Sequence, residues 1–461
     1  MPLTPVIAII DIGKTNKKLF LFNQQYRIVY EHAEQLDEIL DEDGDACEDL
    51  EALQKFIAQS LERISNNTTF VIKAINFSTY GASFVFLDDE GKPVAPLYNY
   101  LKPYPADLQH QFYDTYGGEE QFSLQTASPV LGNLNSGMQL YRLKYRQPAM
   151  YNRIKYALHL PQFAAYQCSK KPLADISSIG CHTNLWNFNT NNYHQWVYSE
   201  GVAEKLPPIA SSINVCTVTL FQRKVQVGIG LHDSSAALIP YLKSFQEPFV
   251  LISTGTWCIS INPFNQHPLT KSELQHDCLC YMTYEGKPVK ASRLFAGQEH
   301  EDQVKRIATY FKVSPTFYKA VIFDPILTQR LPVANESSGQ PVNKFMQFCP
   351  FGQRNLASFS DAPSAYHRLM MDIAEQQFHS TGLVLQRTEV NRIFVDGGFS
   401  NNTLYMNLLA AKFSGLEVFA ANMPQATALG TALAIHHCWN QQLIPNNLIQ
   451  LKRYGITNNI N

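Results

Sequence analysis

Four stretches of the chain carry residue types suited to handling a phosphate group. The first is Asp11-Ile12-Gly13-Lys14-Thr15-Asn16-Lys17-Lys18, which follows the apolar run Val6–Ile10 and gives way to apolar residues again at Leu19. Gly13 permits close backbone approach or positive φ, and the N–H groups, Thr15 and the lysines after it can face a polyanion. A carboxylate at that place repels phosphate unless it holds a cation, so Asp11 reads as a ligand of Mg²⁺, directly or through water. A Walker A loop is excluded, because Ala8 stands where its first glycine belongs and a strand follows instead of a helix. The second stretch, Ser253-Thr254-Gly255-Thr256-Trp257, offers another short turn with hydroxyls and a glycine. In the third, Asp396-Gly397-Gly398-Phe399-Ser400-Asn401-Asn402, paired glycines precede a helix expected near Thr403. A flat ligand can lie against such a backbone, with Ser400 or Asn401 as N-cap. The fourth, Gly230-Leu231-His232-Asp233, supplies an aspartate among small residues. Phosphoryl transfer to an alcohol calls for a carboxylate that accepts the hydroxyl proton, and Asp233 is the best candidate; His232 could bond a sugar hydroxyl.

Positioning these groups requires strands that end at the turns. Strands are expected at Val6–Ile10, Leu19–Phe22, Ser83–Leu87, Phe249–Ser253, Cys258–Ile261 and Ile393–Val395, each a short apolar run bounded by turn residues. Helices are expected at Leu50–Ile64, Ser136–Tyr145, Ser364–His379, Thr403–Phe413 and Ala426–Cys438. Their mixture gives an α/β chain. The stretch 249–264 repeats the plan of the opening hairpin, with Gly13 and Gly255 at corresponding places, which points to two related halves divided near residue 240. Gly430 inside a helix costs about 1 kcal/mol against alanine, an expense that close packing would offset. The segment from Asp37 to Glu51 carries nine carboxylates and reads as a solvated loop or exposed helix start.

The 461 residues allow two or three domains, with 45% hydrophobic and 16% charged residues. A net charge of −2 gives no electrostatic pull toward nucleic acid or an anionic membrane. No apolar run approaches the roughly 18 residues of a membrane span, and the N-terminus has no basic leader. Nine scattered cysteines argue against a disulfide framework and for a reducing cytoplasm. Cys278 and Cys280, beside His276 and Asp277, lack a second half at zinc spacing and read as buried strand cysteines.

Taken together and in order, these stretches resemble the FGGY carbohydrate kinases of the sugar kinase–Hsp70–actin superfamily, with the nearest likeness to rhamnulokinases and fuculose kinases. Phe77-Ser78-Thr79-Tyr80-Gly81-Ala82-Ser83 is similar to the family's sugar-side segment, Asp175-Ile176-Ser177-Ser178 to its mid-domain stretch, and Ala428-Leu429-Gly430 to its adenosine end. The resemblance implies two actin-like, ribonuclease H-like α/β domains with an interdomain cleft, a sugar-binding domain over 1–240 and an ATP-binding domain over 241–461. It implies ATP held by Gly13, Lys14, Thr15, Asn16 and Lys17 with Thr254, Gly255, Thr256, Gln298, Gly397, Gly398 and Asn401. A ketose would meet Thr79, Tyr80, Gly81, His232 and Asp233, with Asp233 as base and Mg²⁺ at Asp11 and, through water, Asp233. The implied substrate is a 6-deoxyketose such as L-rhamnulose or L-fuculose, phosphorylated at O1, with ribulose or xylulose as alternatives. A cytoplasmic protein without nucleic-acid or membrane partners is expected, with a homodimer left open. The chain departs from the family where Leu97–Lys102 replaces a Trp-x-Asp-x-Arg segment and where Gln425 replaces a glutamate. Competing readings are a non-catalytic sugar-sensing homologue and an actin- or Hsp70-like ATPase, the latter having no use for the sugar-side segment.

Overall fold

A computed structural model describes residues 3–331 and 349–455. The chain forms two compact units: residues 1–244 with 280–288 and 424–448, and residues 245–279 with 289–423 and 449–461. Pro240 lies within a helix, Asp233–Ser244, and the passage to the second unit comes after it.

The first unit is built on strands β1 (Thr4–Ile12), β2 (Lys17–Asn23), β3 (Ile28–Glu34), β4 (Phe70–Thr79), β5 (Val215–Leu220) and β6 (Arg223–Gly228), ordered β5-β6-β4-β1-β2-β3. A short strand β7 (Leu231–His232) also pairs with β4. Strand β1 runs parallel to β4 and antiparallel to β2, so the opening stretch is the expected hairpin. Val6–Ile10 are fully buried, as parallel strands covered on both faces must be. Helices α1 (Leu50–Ser65) and α2 (Leu160–Ser169) close one core with Leu53, Phe56, Leu158 and Phe163. A second cluster, centred on Phe112, Phe122, Tyr141 and Trp196, packs the short helices between residues 106 and 205.

The second unit repeats that plan with β8 (Phe249–Thr254), β9 (Cys258–Asn262), β10 (Cys278–Met282), β11 (Pro288–Leu294), β12 (Arg392–Gly397), β13 (Glu417–Asn422) and β14 (Gln450–Tyr454). Their order is β14-β13-β12-β8-β9-β11-β10. In both sheets the central strand has a parallel neighbour on one side (β4 or β12) and an antiparallel hairpin partner on the other (β2 or β9). The echo between the two hairpins therefore extends to whole sheets. The α/β expectation holds in each unit.

The acidic segment differs from its expected solvated state. It forms a small hairpin, Glu38–Leu40 with Ala46–Glu48, whose carboxylates pair with three lysines, Lys14, Lys17 and Lys102. Lys102 Nζ meets Asp41 at 2.6 Å, Asp43 at 2.7 Å and Asp45 at 3.1 Å, with its side chain only 3% exposed. A buried ammonium needs such pairing, so the loop's charge is spent internally. The expected helix 426–438 breaks at Ile435 into Ala426–Ala434 and His436–Trp439. None of the nine cysteines is in a disulfide, and Cys278 and Cys280 are buried in β10. Among the described residues no group of three or more His, Cys, Asp or Glu is arranged to hold a metal, and no helix is long and apolar enough to cross a membrane.

Candidate active site

Parallel pairing sets the first unit's site. Asp11 on β1 lies abreast of Ser78 on β4, and β7 places Leu231 beside Ser78 and His232 beside Thr79. Asp11 and Asp233 therefore emerge at the C-terminal ends of the two strands that flank β4, where α/β sheets usually present their chemistry. Ser78 Oγ donates to Asp11 Oδ1 at 2.8 Å. Asp233 opens helix α3 (Asp233–Ser244), and its Oδ1 accepts from Ser234 N at 2.6 Å and from Ser234 Oγ at 3.2 Å. His232 Nε2 stands 3.3 Å from the same oxygen, and Oδ2 has no donor among the described residues.

The electrostatics of the recess follow from crowding. Desolvation lifts Asp233 to about 6, although 37% of its side chain remains accessible. Desolvation also lifts Asp11 to about 6, with the Asp233 charge adding to it and Ser78 and Lys18 working against it. Two hard carboxylates that resist ionising beside one another, with Lys18 as a partial counter-charge, are a donor set that fits a divalent cation. Burial holds His232 down to about 4, so its imidazole is neutral at pH 7. Its Nδ1 is buried with no protein partner, and Cys181 Sγ lies 3.5 Å from Nε2. Gly81 packs directly on that ring; a Cβ there would stand 2.6 Å from His232 Nε2. Tyr80 stacks near Tyr100 at 5.9 Å, and the Thr79 hydroxyl donates to the Tyr80 carbonyl, turned toward the backbone.

The turn after β1 is closed by Gly13 N donating to Asn16 O at 2.9 Å, with Thr15 and Asn16 exposed. Its lysines are engaged. Lys17, 1% exposed, donates to Glu48 and to the Lys14 carbonyl, both at 3.1 Å. Lys14 meets Glu38 at 2.7 Å and Glu48 at 3.5 Å. Lys18 reaches Gln425 Oε1 at 3.5 Å.

The second unit carries a cavity of about 810 Å³, within the range of small-molecule sites. Thr254, Gly255, Thr256, Gly297 and Gln298 line one end, and Gly398, Phe399 and Asn401 line another. Of the ATP residues expected in the second unit, Gly397 alone is not on the wall, and none of Gly13–Lys17 lines this cavity. Gly397 sits at φ +86° with its α-carbon against the Thr254 carbonyl, where a Cβ would be 2.0 Å from the oxygen. Thr254 Oγ1 joins the two turns by donating to Asp396 O at 2.5 Å and accepting from Phe399 N at 3.0 Å. The N-cap of helix Thr403–Lys412 is Asn402, accepting from Tyr405 N, in place of Ser400 or Asn401. Ser400 Oγ instead donates to Gly397 O at 2.7 Å.

Sequence reasoning missed Gly297, whose Cβ would overlap the Gly255 carbonyl at 1.8 Å, and the cavity wall at Pro315–Ile322. A glycine at the junction between β11 and the helix Ala296–Phe311 was the available signal for the first. The wall carried none.

With this geometry in hand, comparison with known proteins assigns the class. Residues 6–239 match the model of the FGGY family of carbohydrate kinases, N-terminal domain, and 246–443 match the carbohydrate kinase FGGY C-terminal domain. The chain belongs to the FGGY family of carbohydrate kinases. It is similar to a rhamnulokinase of Mannheimia succiniciproducens, 24% identical over 263 residues covering 55% of this chain and 52% of the relative. The chain thus spans about half the length of that curated relative. A probable L-xylulose kinase of Haemophilus influenzae is 22% identical over 457 residues, covering 92% of this chain and 88% of the relative. The fold is that of a carbohydrate kinase from Novosphingobium aromaticivorans, with a TM-score of 0.78 at 21% identity over 97% of this chain and 96% of the other.

Proposed function

We propose that the protein transfers the γ-phosphoryl group of ATP to a primary hydroxyl of a ketose, with Asp233 as general base. The observation that carries this reading is Oδ2 of Asp233, which has no donor among the described residues, on a carboxylate raised to about 6 and set across β4 from Asp11 at the strand ends. A base of that strength is ionised at neutral pH yet basic enough to share a proton in the transition state. As the acceptor oxygen bonds the γ-phosphorus and the bond to the β-bridging oxygen breaks, ADP departs and the hydroxyl proton passes to Oδ2. Oδ1, held by Ser234 and facing His232, keeps the carboxylate plane fixed. Tyr80, Gly81 and His232 would bound the sugar, and Nδ1 of His232 is free to meet a hydroxyl. Neutral acceptors suit such a site, since the imidazole carries no charge.

ATP would lie along the turns at 254–256 and 397–401, with Gln298 at its edge. Lys17, committed to Glu48, serves the shape of the loop 13–16. Asp11 and, through water, Asp233 would hold Mg²⁺, whose chemistry is to neutralise the charge of the phosphates. The acceptor is a 6-deoxyketose such as L-rhamnulose or L-fuculose at O1, supported by the match to a rhamnulokinase. A ketopentose is the second reading, favoured by the match along 92% of the chain to a probable L-xylulose kinase. A cytoplasmic location agrees with nine cysteines and no disulfide. ADP release measured across a panel of ketoses with ATP and Mg²⁺ tests the proposal: sugar-dependent release with a 6-deoxyketose supports it, and hydrolysis at one rate with or without any sugar overturns it.

A further inference from the structure

Asp175 has no task in the reaction as described, yet it is a fully buried carboxylate with no cation beside it. It caps a helix of only four residues, Ile176–Ile179, a job that a neutral asparagine or serine does at lower desolvation cost. Its Oδ1 accepts from Ser177 N at 2.9 Å and from Ser177 Oγ, and its Oδ2 accepts from Ser212 Oγ. Ser177 Oγ in turn accepts the backbone N–H of His232 at 3.1 Å. An ionised carboxylate offers only acceptors, so it forces the Ser177 hydroxyl proton toward itself and leaves the oxygen's lone pair for His232. The other edge of His232 is held by β4, beside Thr79. The residue carrying the proposed base is therefore gripped from both sides immediately before Asp233.

We propose that Asp175 and Ser177 are positioning residues, a hydrogen-bonded relay that fixes the His232–Asp233 backbone so that Asp233 Oδ2 faces the acceptor hydroxyl. The inference rests on the reading of Asp233 as base. Displacing a reacting group by about 1 Å can cost about 10²-fold in rate, and loss of one strut should give part of that.

Three variants test it. Ser177→Ala removes the hydroxyl that reaches His232. Asp175→Asn keeps the shape but supplies a competing donor. Ser212→Ala takes a hydroxyl from Asp175 without touching His232. For Ser177→Ala and Asp175→Asn, kcat should fall about 10-fold or more, with sugar KM and ADP affinity close to the parent values. Ser212→Ala should lower Tm by as much as Ser177→Ala while keeping parent kcat. Parent kcat in both Ser177→Ala and Asp175→Asn overturns the relay, as does an equal kcat loss in Ser212→Ala at equal loss of Tm. Asp233→Asn, run alongside, separates the two claims. If it is inactive while Ser177→Ala is unaffected, only the relay fails; if it turns over at the parent rate, the base assignment fails first.

Discussion

Gly430→Ala links packing to function in the first unit. Gly430 lies in the helix Ala426–Ala434, and a Cβ there would stand 1.8 Å from the carbonyl oxygen of Ala236 and 3.1 Å from Pro240 Cδ. The two positions fit one another for a reason. Pro240 lies inside helix α3 and has no N–H, so the Ala236 carbonyl loses its helical donor four residues on. Gly430 lets the neighbouring backbone settle on that freed oxygen, where a Cα–H contact is available. Alanine would gain about 1 kcal/mol in helix propensity. Against this, ordinary contact starts near 3.4 Å, so the helices must part by more than an ångström or distort. Overpacking of that kind costs about 1–3 kcal/mol, occasionally more. The expected outcome is a net loss of up to about 2 kcal/mol in urea unfolding. Because Asp233 is the first residue of α3, a fall of about 10-fold or more in sugar-dependent ADP release should accompany it. A variant with a higher urea midpoint and parent turnover would refute the reasoning.

Other perturbations follow from the same geometry. With Asp233 raised to about 6, kcat/KM for the sugar should rise with pH to a plateau above about 6, and saturating Mg²⁺ should move the midpoint down; a flat profile between pH 5 and 8 contradicts this. Folded-state values raised from 3.8 to about 6 mean that Asp11 and Asp233 cost no stability below pH 3.8 and cost most above 6. Asp233→Asn should therefore raise Tm at pH 7.5 and lose that advantage near pH 4, as thermal unfolding at both values would show. Gly81→Ala should remove sugar turnover, since its Cβ meets His232 at 2.6 Å, while leaving ADP binding by calorimetry unchanged. Lys102→Ala strands Asp41, whose side chain is fully buried, and should cost about 3–5 kcal/mol in denaturant unfolding.

Legibility in the sequence tracked how local each signal was. Both hairpins were visible because Val6–Ile10 and Phe249–Ser253 are uninterrupted apolar runs ending in glycine turns. Strand β4 escaped notice although it is the neighbour of β1, because Lys73, Asn76, Ser78 and Thr79 break its apolar run. Asp11 and Asp233 were singled out by residue type and turn context, whereas Ser78 acquires meaning only from the parallel register that sets it against Asp11. The acidic segment was misread because its counter-charge, Lys102, lies some 60 residues away. The pairing of Lys17 with Glu48, 31 residues on, was out of sight for the same reason. The relay at Asp175 joins residues 37 and 55 positions apart, beyond any periodicity.

The measurement that bears most directly on this account compares parent and Asp233→Asn protein in a single turnover of ATP with a 6-deoxyketose, alongside ADP binding by calorimetry. Loss of about 10²-fold or more in phosphorylated sugar, with ADP affinity retained, is the expected result. Sugar phosphate formed by the asparagine variant at the parent rate would contradict it.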